Sequence, residues 1–329
     1  MRLTSPALRL AFAVGLAGAC LTACVARPAV GPPRAAVPLP AALAAYYDVP
    51  GAVPSAREDL VQRTRSYDVY EIELPPRVRD GAAAEAREPI RMRWYRPKPE
   101  GGPRPAVVVS PILGSDTLFV ASSAERFAHE GWHALIVRRP EIAYDETRPL
   151  SQVEDRLWAA VARQRQALDW LETRPDVDLT RIASFGVSAG GIQNAMVAGV
   201  DDRYVAHVLA LTGGPLADVF ADTTEDDLRR LFDRGMRQQG LDREQLRERL
   251  REVIRTDPLR LAPYVPRDKV LLVLARRDES VPIRRGMALY EALGRPQTVF
   301  LPMGHYGSIL ALPFVQSRAV EFLRGRLEG

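Results

Sequence analysis

The sequence predicts an α/β fold: a mostly parallel central sheet, helices on both of its faces and a helical lid insertion. Three observations carry this. Residues 106–109 and 134–137 are solidly apolar, as strands covered on both faces are. Segments of helical period alternate with such runs along the rest of the chain. Two segments ahead of them, 66–74 and 90–96, alternate polar with apolar instead, the pattern of antiparallel strands with one wet face.

The elements follow in order. After the strand at 106–109, residues 122–130 form a helix that Gly131 stops, and 134–137 form the next strand. Residues 151–173 place Val153, Leu157, Val161, Leu168 and Leu171 at helical spacing ahead of Pro175. A strand at 181–187 leads into a helix at 190–199, and a further strand follows at 205–211. The rhythm then breaks at 217–266. Here one amphipathic helix carries Leu228, Leu231, Phe232 and Met236, and a second starts at Asp242 with Gln245 in capping-box position. Strands at 269–275 and 298–301 return to the pattern, with helices at 283–293 and from Tyr306 onward. The insertion is read as a lid over a pocket, with Phe220, Leu231, Phe232 and Met236 as candidate walls; Arg138, Arg139 and Tyr144 are further candidates to face that pocket.

The chain has 329 residues, 47% hydrophobic and 26% charged, an ordinary globular balance that excludes a disordered or collagen-like chain and a polytopic membrane protein. Its 45 basic residues, all but Lys98 and Lys269 arginine, are interspersed with 41 acidic ones. Nucleic-acid binding calls for a clustered basic face, so none is expected. The two cysteines, Cys20 and Cys24, both lie near the N-terminus, which leaves the folded part without a thiolate metal site or cysteine nucleophile. No phosphate loop and no metal-binding signature is present, so neither a cofactor nor a metal is expected.

Arg2 and Arg9 precede an apolar run at 10–21 that is too short to span a bilayer and suits a secretory leader. The run ends in Leu21-Thr22-Ala23-Cys24, which resembles the bacterial lipobox. That resemblance implies cleavage before Cys24, lipidation of Cys24, export and a place in the bacterial cell envelope, anchored to a membrane through the N-terminal lipid. Residues 1–23 are then a signal peptide, the Ala/Pro-rich stretch 24–55 a tether and 56–329 the folded domain.

Gly186-Val187-Ser188-Ala189-Gly190 fits G-x-S-x-G between a strand and a helix, a context that lifts the serine hydroxyl above the sheet edge. A serine hydroxyl needs an adjacent base. Of the four histidines, His129 and His133 flank a helix-to-strand turn and His207 sits inside an apolar strand, as a packed core residue does. His305 follows the last strand, where active-site groups gather in open α/β sheets. Asp278, in the loop after the strand at 269–275, is the expected orienting carboxylate; Glu279 is its local competitor, with Asp257 and Asp268 more distant.

With this order of nucleophile, acid and histidine, each after its strand, the chain resembles the α/β-hydrolase superfamily from about Ser66 to Gly329, and its esterase and dienelactone-hydrolase-like members in particular. The resemblance implies a serine hydrolase that cleaves a small-molecule carboxylic ester through an acyl-enzyme, with Ser188, His305 and Asp278 as triad. It also implies an oxyanion hole built from the N–H of Ala189 and of Ile112, with Leu113 the alternative donor. Many members carry His-Gly where this chain has Ser110-Pro111, which leaves the second donor open. An acyltransferase using the same triad, a prolyl-oligopeptidase-type peptidase and a non-catalytic envelope lipoprotein are the other readings.

Overall fold

The computed structural model describes residues 37–329 except 80, 100, 114–117, 141–146 and 149. Cys24 and its lipobox, Gly114, Ser115 and Tyr144 therefore lie outside the described residues. Helix α1 (Ala41–Tyr47) comes first, followed by strands β1 (Arg57–Arg63) and β2 (Tyr67–Leu74). A short helix α2 (Ala84–Arg87), β3 (Ile90–Pro97), β4 (Arg104–Ser110), α3 (Leu118–His129) and β5 (His133–Val137) follow. Next are α4 (Gln152–Leu171), β6 (Val177–Val187), α5 (Ala189–Ala198) and β7 (Tyr204–Ala210). The insertion supplies α6 (Leu216–Ala221), α7 (Asp226–Gln239), α8 (Arg243–Val253) and α9 (Pro258–Leu261). The chain then closes with β8 (Val270–Ala275), α10 (Ile283–Ala292), β9 (Gln297–Leu301) and α11 (Leu312–Leu327).

Among the described residues the strands form one nine-stranded sheet in the order β1-β2-β3-β5-β4-β6-β7-β8-β9. The pairs β1/β2, β2/β3 and β3/β5 are antiparallel; every pairing from β5/β4 to β8/β9 is parallel. Successive side chains of a strand point to opposite faces, and two cores result. Ala106 and Val108 pack with α1, α4 and α5 on one face; Val107 and Val109 pack with Phe127 of α3 and Phe322 of α11 on the other. The mostly parallel sheet with helices on both faces is the predicted architecture. No helix among the described residues is long and apolar enough to cross a membrane.

Two elements escaped the sequence reading. Within the stretch assigned to a tether, α1 is packed onto the domain: Tyr47 is fully buried, its hydroxyl donating to Thr256 Oγ1 at 2.9 Å, and the Tyr46 hydroxyl donates to Glu154 Oε1 at 2.7 Å. The Ala/Pro composition hid two tyrosines whose rings gain by burial and whose hydroxyls find partners. Strand β1 is exposed along its whole length and rests on its ladder to β2, so no apolar alternation announces it. The helix expected from Tyr306 onward is divided into a 3₁₀ turn, Tyr306–Ile309, and α11, which has Pro313 in its first turn.

His207 on β7 sits directly across from Ser184 on β6, whose Oγ is 2.8 Å from its Nδ1, and is 1% exposed. Burial, reinforced by the positive charge of Lys269, pushes it down from 6.5 to about 3. Below its ordinary pKa the unfolded chain takes up a proton that the folded chain refuses. Stability should therefore fall by about 1.4 kcal/mol per pH unit on this account until the folded pKa is reached. His207→Gln is expected to lose less of its own stability than the native chain between pH 7 and about 5, measured by denaturant unfolding. Equal slopes would refute the assignment.

Candidate active site

The functional side chains gather at the C-terminal ends of the parallel strands. Ser188 sits between β6 and α5 with φ 56° and ψ −123°, a left-handed-side backbone that a serine adopts only under constraint. Its N–H donates to Ala210 O at 2.8 Å, and its own carbonyl accepts from Ile192 N–H at 2.9 Å. The turn closes because its glycines have no side chain. A Cβ on Gly186 would lie 2.3 Å from Gly190 O, and one on Gly190 would lie 2.2 Å from Ser110 O.

His305, in the turn after β9, brings Nε2 to 2.9 Å from Ser188 Oγ and Nδ1 to 2.8 Å from Asp278 Oδ2. The Asp278 side chain is 2% exposed and that of His305 10%. The other Asp278 oxygen accepts from Val281 N–H at 2.7 Å, which fixes the carboxylate plane. The competitors fall away on placement. Glu279 is exposed, Asp257 caps α9 and accepts from Leu216 N–H, and Asp268 belongs to the turn ahead of β8 at the opposite end of the strand. The remaining histidines are structural: His133 accepts from Trp94 Nε1–H, and His129 meets the Tyr67 ring edge-on.

Ser188, Ala189, Ile112 and Leu113 line one pocket of about 460 Å³. Its lining is mostly apolar, with Leu157, Ile192, Met196, Val219, Phe220 and Leu228 prominent. A larger groove of about 630 Å³ runs along the start of β8 and β9 beside α11 and holds none of the triad. The insertion covers the active-site pocket, as a lid does. Of the four apolar candidates, only Phe220 lines it; Leu231 and Phe232 are buried in the core and Met236 packs against them. Leu228, one turn before Phe232, faces the pocket instead. Arg138 pairs with Glu71, while its neighbour Arg139 reaches the pocket.

Charge holds the insertion in place. Asp218 on α6 and Asp222 at its C-cap pair with Arg247 of α8 on one side and Arg285 of α10 on the other, and Arg251 and Arg284 add to the cluster. Glu225, just ahead of α7, lines the same pocket and joins the insertion to the loops that carry Asp278 and His305. Its carboxylate accepts from the Ser280 hydroxyl at 2.6 Å and from the Tyr306 hydroxyl at 2.7 Å, and Tyr306 packs edge-on against the His305 ring. Being a hydrogen-bonded donor to a carboxylate raises the Tyr306 pKa. Sequence reasoning missed Glu225, Ser280 and Tyr306, since no local pattern joins residues so far apart along the chain.

Beneath the site runs a buried amide network. Ser110 Oγ is 2.7 Å from Asn194 Oδ1 and 3.1 Å from Gln164 Oε1, while Gln164 Nε2 donates to Tyr204 Oη at 3.0 Å. It ties the start of the loop after β4 to α4, α5 and β7. No group of three or more His, Cys, Asp or Glu among the described residues could hold a metal.

A model of the prolyl oligopeptidase family matches residues 159–303. A 72-residue stretch is 32% identical to the uncharacterized protein YdjC of Bacillus subtilis, covering 22% of this chain and 62% of that protein, less than two thirds of its length. Among solved structures, an acetyl xylan esterase from Paenibacillus sp. R4 superposes with a TM-score of 0.63 at 21% identity, over 86% of this chain and 92% of that one. Acetyl xylan esterase 1 from Thermoanaerobacterium sp. gives 0.61 at 17% identity, over 80% and 88%. A putative dienelactone hydrolase from Klebsiella pneumoniae gives 0.53 at 14% identity, over 79% and 99%. Sheet order, the strand–serine–helix turn and these likenesses agree on the fold: the chain has the fold of the α/β hydrolases.

Proposed function

We propose that this protein is a serine ester hydrolase working through an acyl-enzyme, and the observation that carries the reading is the continuous hydrogen-bonded chain from Ser188 Oγ through His305 to Asp278. Ser188 attacks the ester carbonyl while His305 Nε2 takes its proton. Asp278 holds the ring and stabilises the imidazolium that forms. The oxyanion is received by the N–H of Ala189, at the start of α5 where the helix dipole adds positive potential, and by the N–H of Ile112 or Leu113. His305 returns the proton to the leaving alcohol, then activates the water that frees the acid.

A fluorophosphonate reagent is expected to add to Ser188, seen as a mass shift on the peptide that contains it; absence of labelling in a folded, pure protein overturns the reading. The apolar pocket further favours acyl chains longer than acetyl. Each methylene buried contributes about 0.8 kcal/mol, so kcat/KM on p-nitrophenyl esters should rise by up to about fourfold per added carbon until the pocket is filled. A profile falling steadily from the acetate would show that the pocket does not take the acyl chain.

The prolyl oligopeptidase match favours a second reading, peptide hydrolysis by the same three residues. Aminoacyl and dipeptidyl p-nitroanilides assayed beside the esters separate the two. Transfer to an added alcohol in place of water is the outcome that would mark an acyltransferase. We also propose that the enzyme is exported and held at a membrane by lipid on Cys24. Incorporation of labelled palmitate that is lost in Cys24→Ser is the expected result.

A further inference from the structure

We propose that Arg139 is a positioning residue for the oxyanion hole: its guanidinium fixes the two successive peptide groups after β4 so that their N–H groups face the substrate oxygen. This rests on the ester-hydrolase reading above.

The geometry is specific. Arg139 follows the end of β5, and its guanidinium donates to Pro111 O at 2.5 Å and to Ile112 O at 2.6 Å. In a trans peptide the carbonyl and the following N–H point to opposite sides of the chain. Holding the Pro111 carbonyl therefore orients the Ile112 N–H away from the guanidinium. Holding the Ile112 carbonyl does the same for the Leu113 N–H. Both candidate donors are set by one side chain. The planar, forked donor array of arginine suits this, where a lysine ammonium would act as a point charge. A cation on each carbonyl oxygen also polarises the peptide and strengthens its N–H as a donor.

The loop is held from its other end as well. Ser110 is tied to Asn194 through its hydroxyl, and Gly190 is pressed so close that a Cβ there would meet Ser110 O at 2.2 Å and Pro111 O at 3.0 Å. Arg139 supplies a further restraint on the segment that follows, through its bonds to the Pro111 and Ile112 carbonyls. Its cost supports a purpose. The guanidinium lies deep among protein atoms, although the pocket leaves part of the residue open, and burial brings its pKa down to about 10. No carboxylate among the described residues pairs with it. Desolvating a guanidinium whose partners among the described residues are carbonyl oxygens costs folding free energy, and groups so perturbed cluster at functional sites. The charged or titratable groups sharing the pocket wall are Arg156, Glu225, Asp227, His305 and Tyr306.

The test compares wild type, Arg139→Lys and Arg139→Gln on a p-nitrophenyl ester, with melting curves as the control for folding. Loss of one oxyanion donor costs about 10²–10³ in kcat, so Arg139→Gln should lose about that much with KM within about twofold. Arg139→Lys should recover part of the rate near pH 7 and lose it again toward pH 9, because a lysine so desolvated sheds its proton earlier than arginine does. Wild type should show no such alkaline loss. A merely structural role would lower the folded fraction without this pH signature. Unchanged kcat in folded Arg139→Gln overturns the proposal. If that variant does not fold, a flat alkaline profile in Arg139→Lys overturns it instead. A defect confined to KM, and only for esters bearing a carboxylate, overturns it in favour of anion binding. If wild type neither hydrolyses esters nor takes up fluorophosphonate, the ester-hydrolase reading falls and this proposal falls with it.

Discussion

Replacing Ser188 by alanine is expected to lower kcat on a short aryl ester by about 10⁶-fold while leaving the protein folded. The size of the effect follows from what the hydroxyl does. In the proposed mechanism it is the atom that bonds to the carbonyl, and neither His305 nor the oxyanion donors can substitute for it. The residual rate, about 10³ above water, would come from substrate held against the donors. Stability should hardly change, since Ser188 Oγ makes one hydrogen bond, to His305, and the constrained backbone at this position is unaffected by losing an oxygen. The measurement is steady-state turnover of both proteins beside their melting curves. Equal turnover would dismiss Ser188 as nucleophile, and a collapsed melt in the variant would show that its hydroxyl is structural.

Gly190→Ala should have the largest effect on folding. The added carbon would stand 2.2 Å from the Ser110 carbonyl oxygen, backbone against backbone, so no side-chain rotation can relieve the clash. Either α5 moves away from the loop after β4 or the turn at Ser188 opens, and both separate the nucleophile from the oxyanion donors. Overpacking of this kind costs about 3 kcal/mol or more. At about 2–4 °C per kcal/mol the melting point should drop by about 10 °C, with activity lost beyond what the melt explains. Gly240→Ala is the companion control. It has φ 64° but nothing within 4 Å of the added carbon, so only the left-handed backbone opposes it, at about 1 kcal/mol. If the two variants melt together, the steric argument at Gly190 is wrong.

The meeting of Ser188, His305 and Asp278 was legible because each sits in a recognisable local context: a serine between strand and helix, an aspartate and a histidine each just past an apolar strand. Asp278 was expected ahead of its neighbour Glu279, and the structure turns Asp278 inward to His305 while Glu279 faces out. The same holds for Arg138 and Arg139. Successive residues at a strand end point opposite ways, so one pairs with Glu71 and the other clamps the loop after β4. Tyr46 and Tyr47 were lost in an Ala/Pro background whose composition speaks for an extended chain, and β1 because an exposed edge strand has no buried face to pattern. Glu225 was illegible for another reason: its partners, Ser280 and Tyr306, are 55 and 81 residues away.

The pairing of Asp218 and Asp222 with arginines from both α8 and α10 gives the cavity roof and the Asp278 loop a common foundation, for α10 begins at Ile283, just past Asp278. Such an arrangement separates two tasks that proteins must often trade against each other. Residues turned inward, such as Val219, Phe220 and Leu228, can be exchanged to admit a different molecule, while the charged brace outside keeps its shape. New preferences are thus open to this scaffold one inward side chain at a time, without retuning the chemistry beneath.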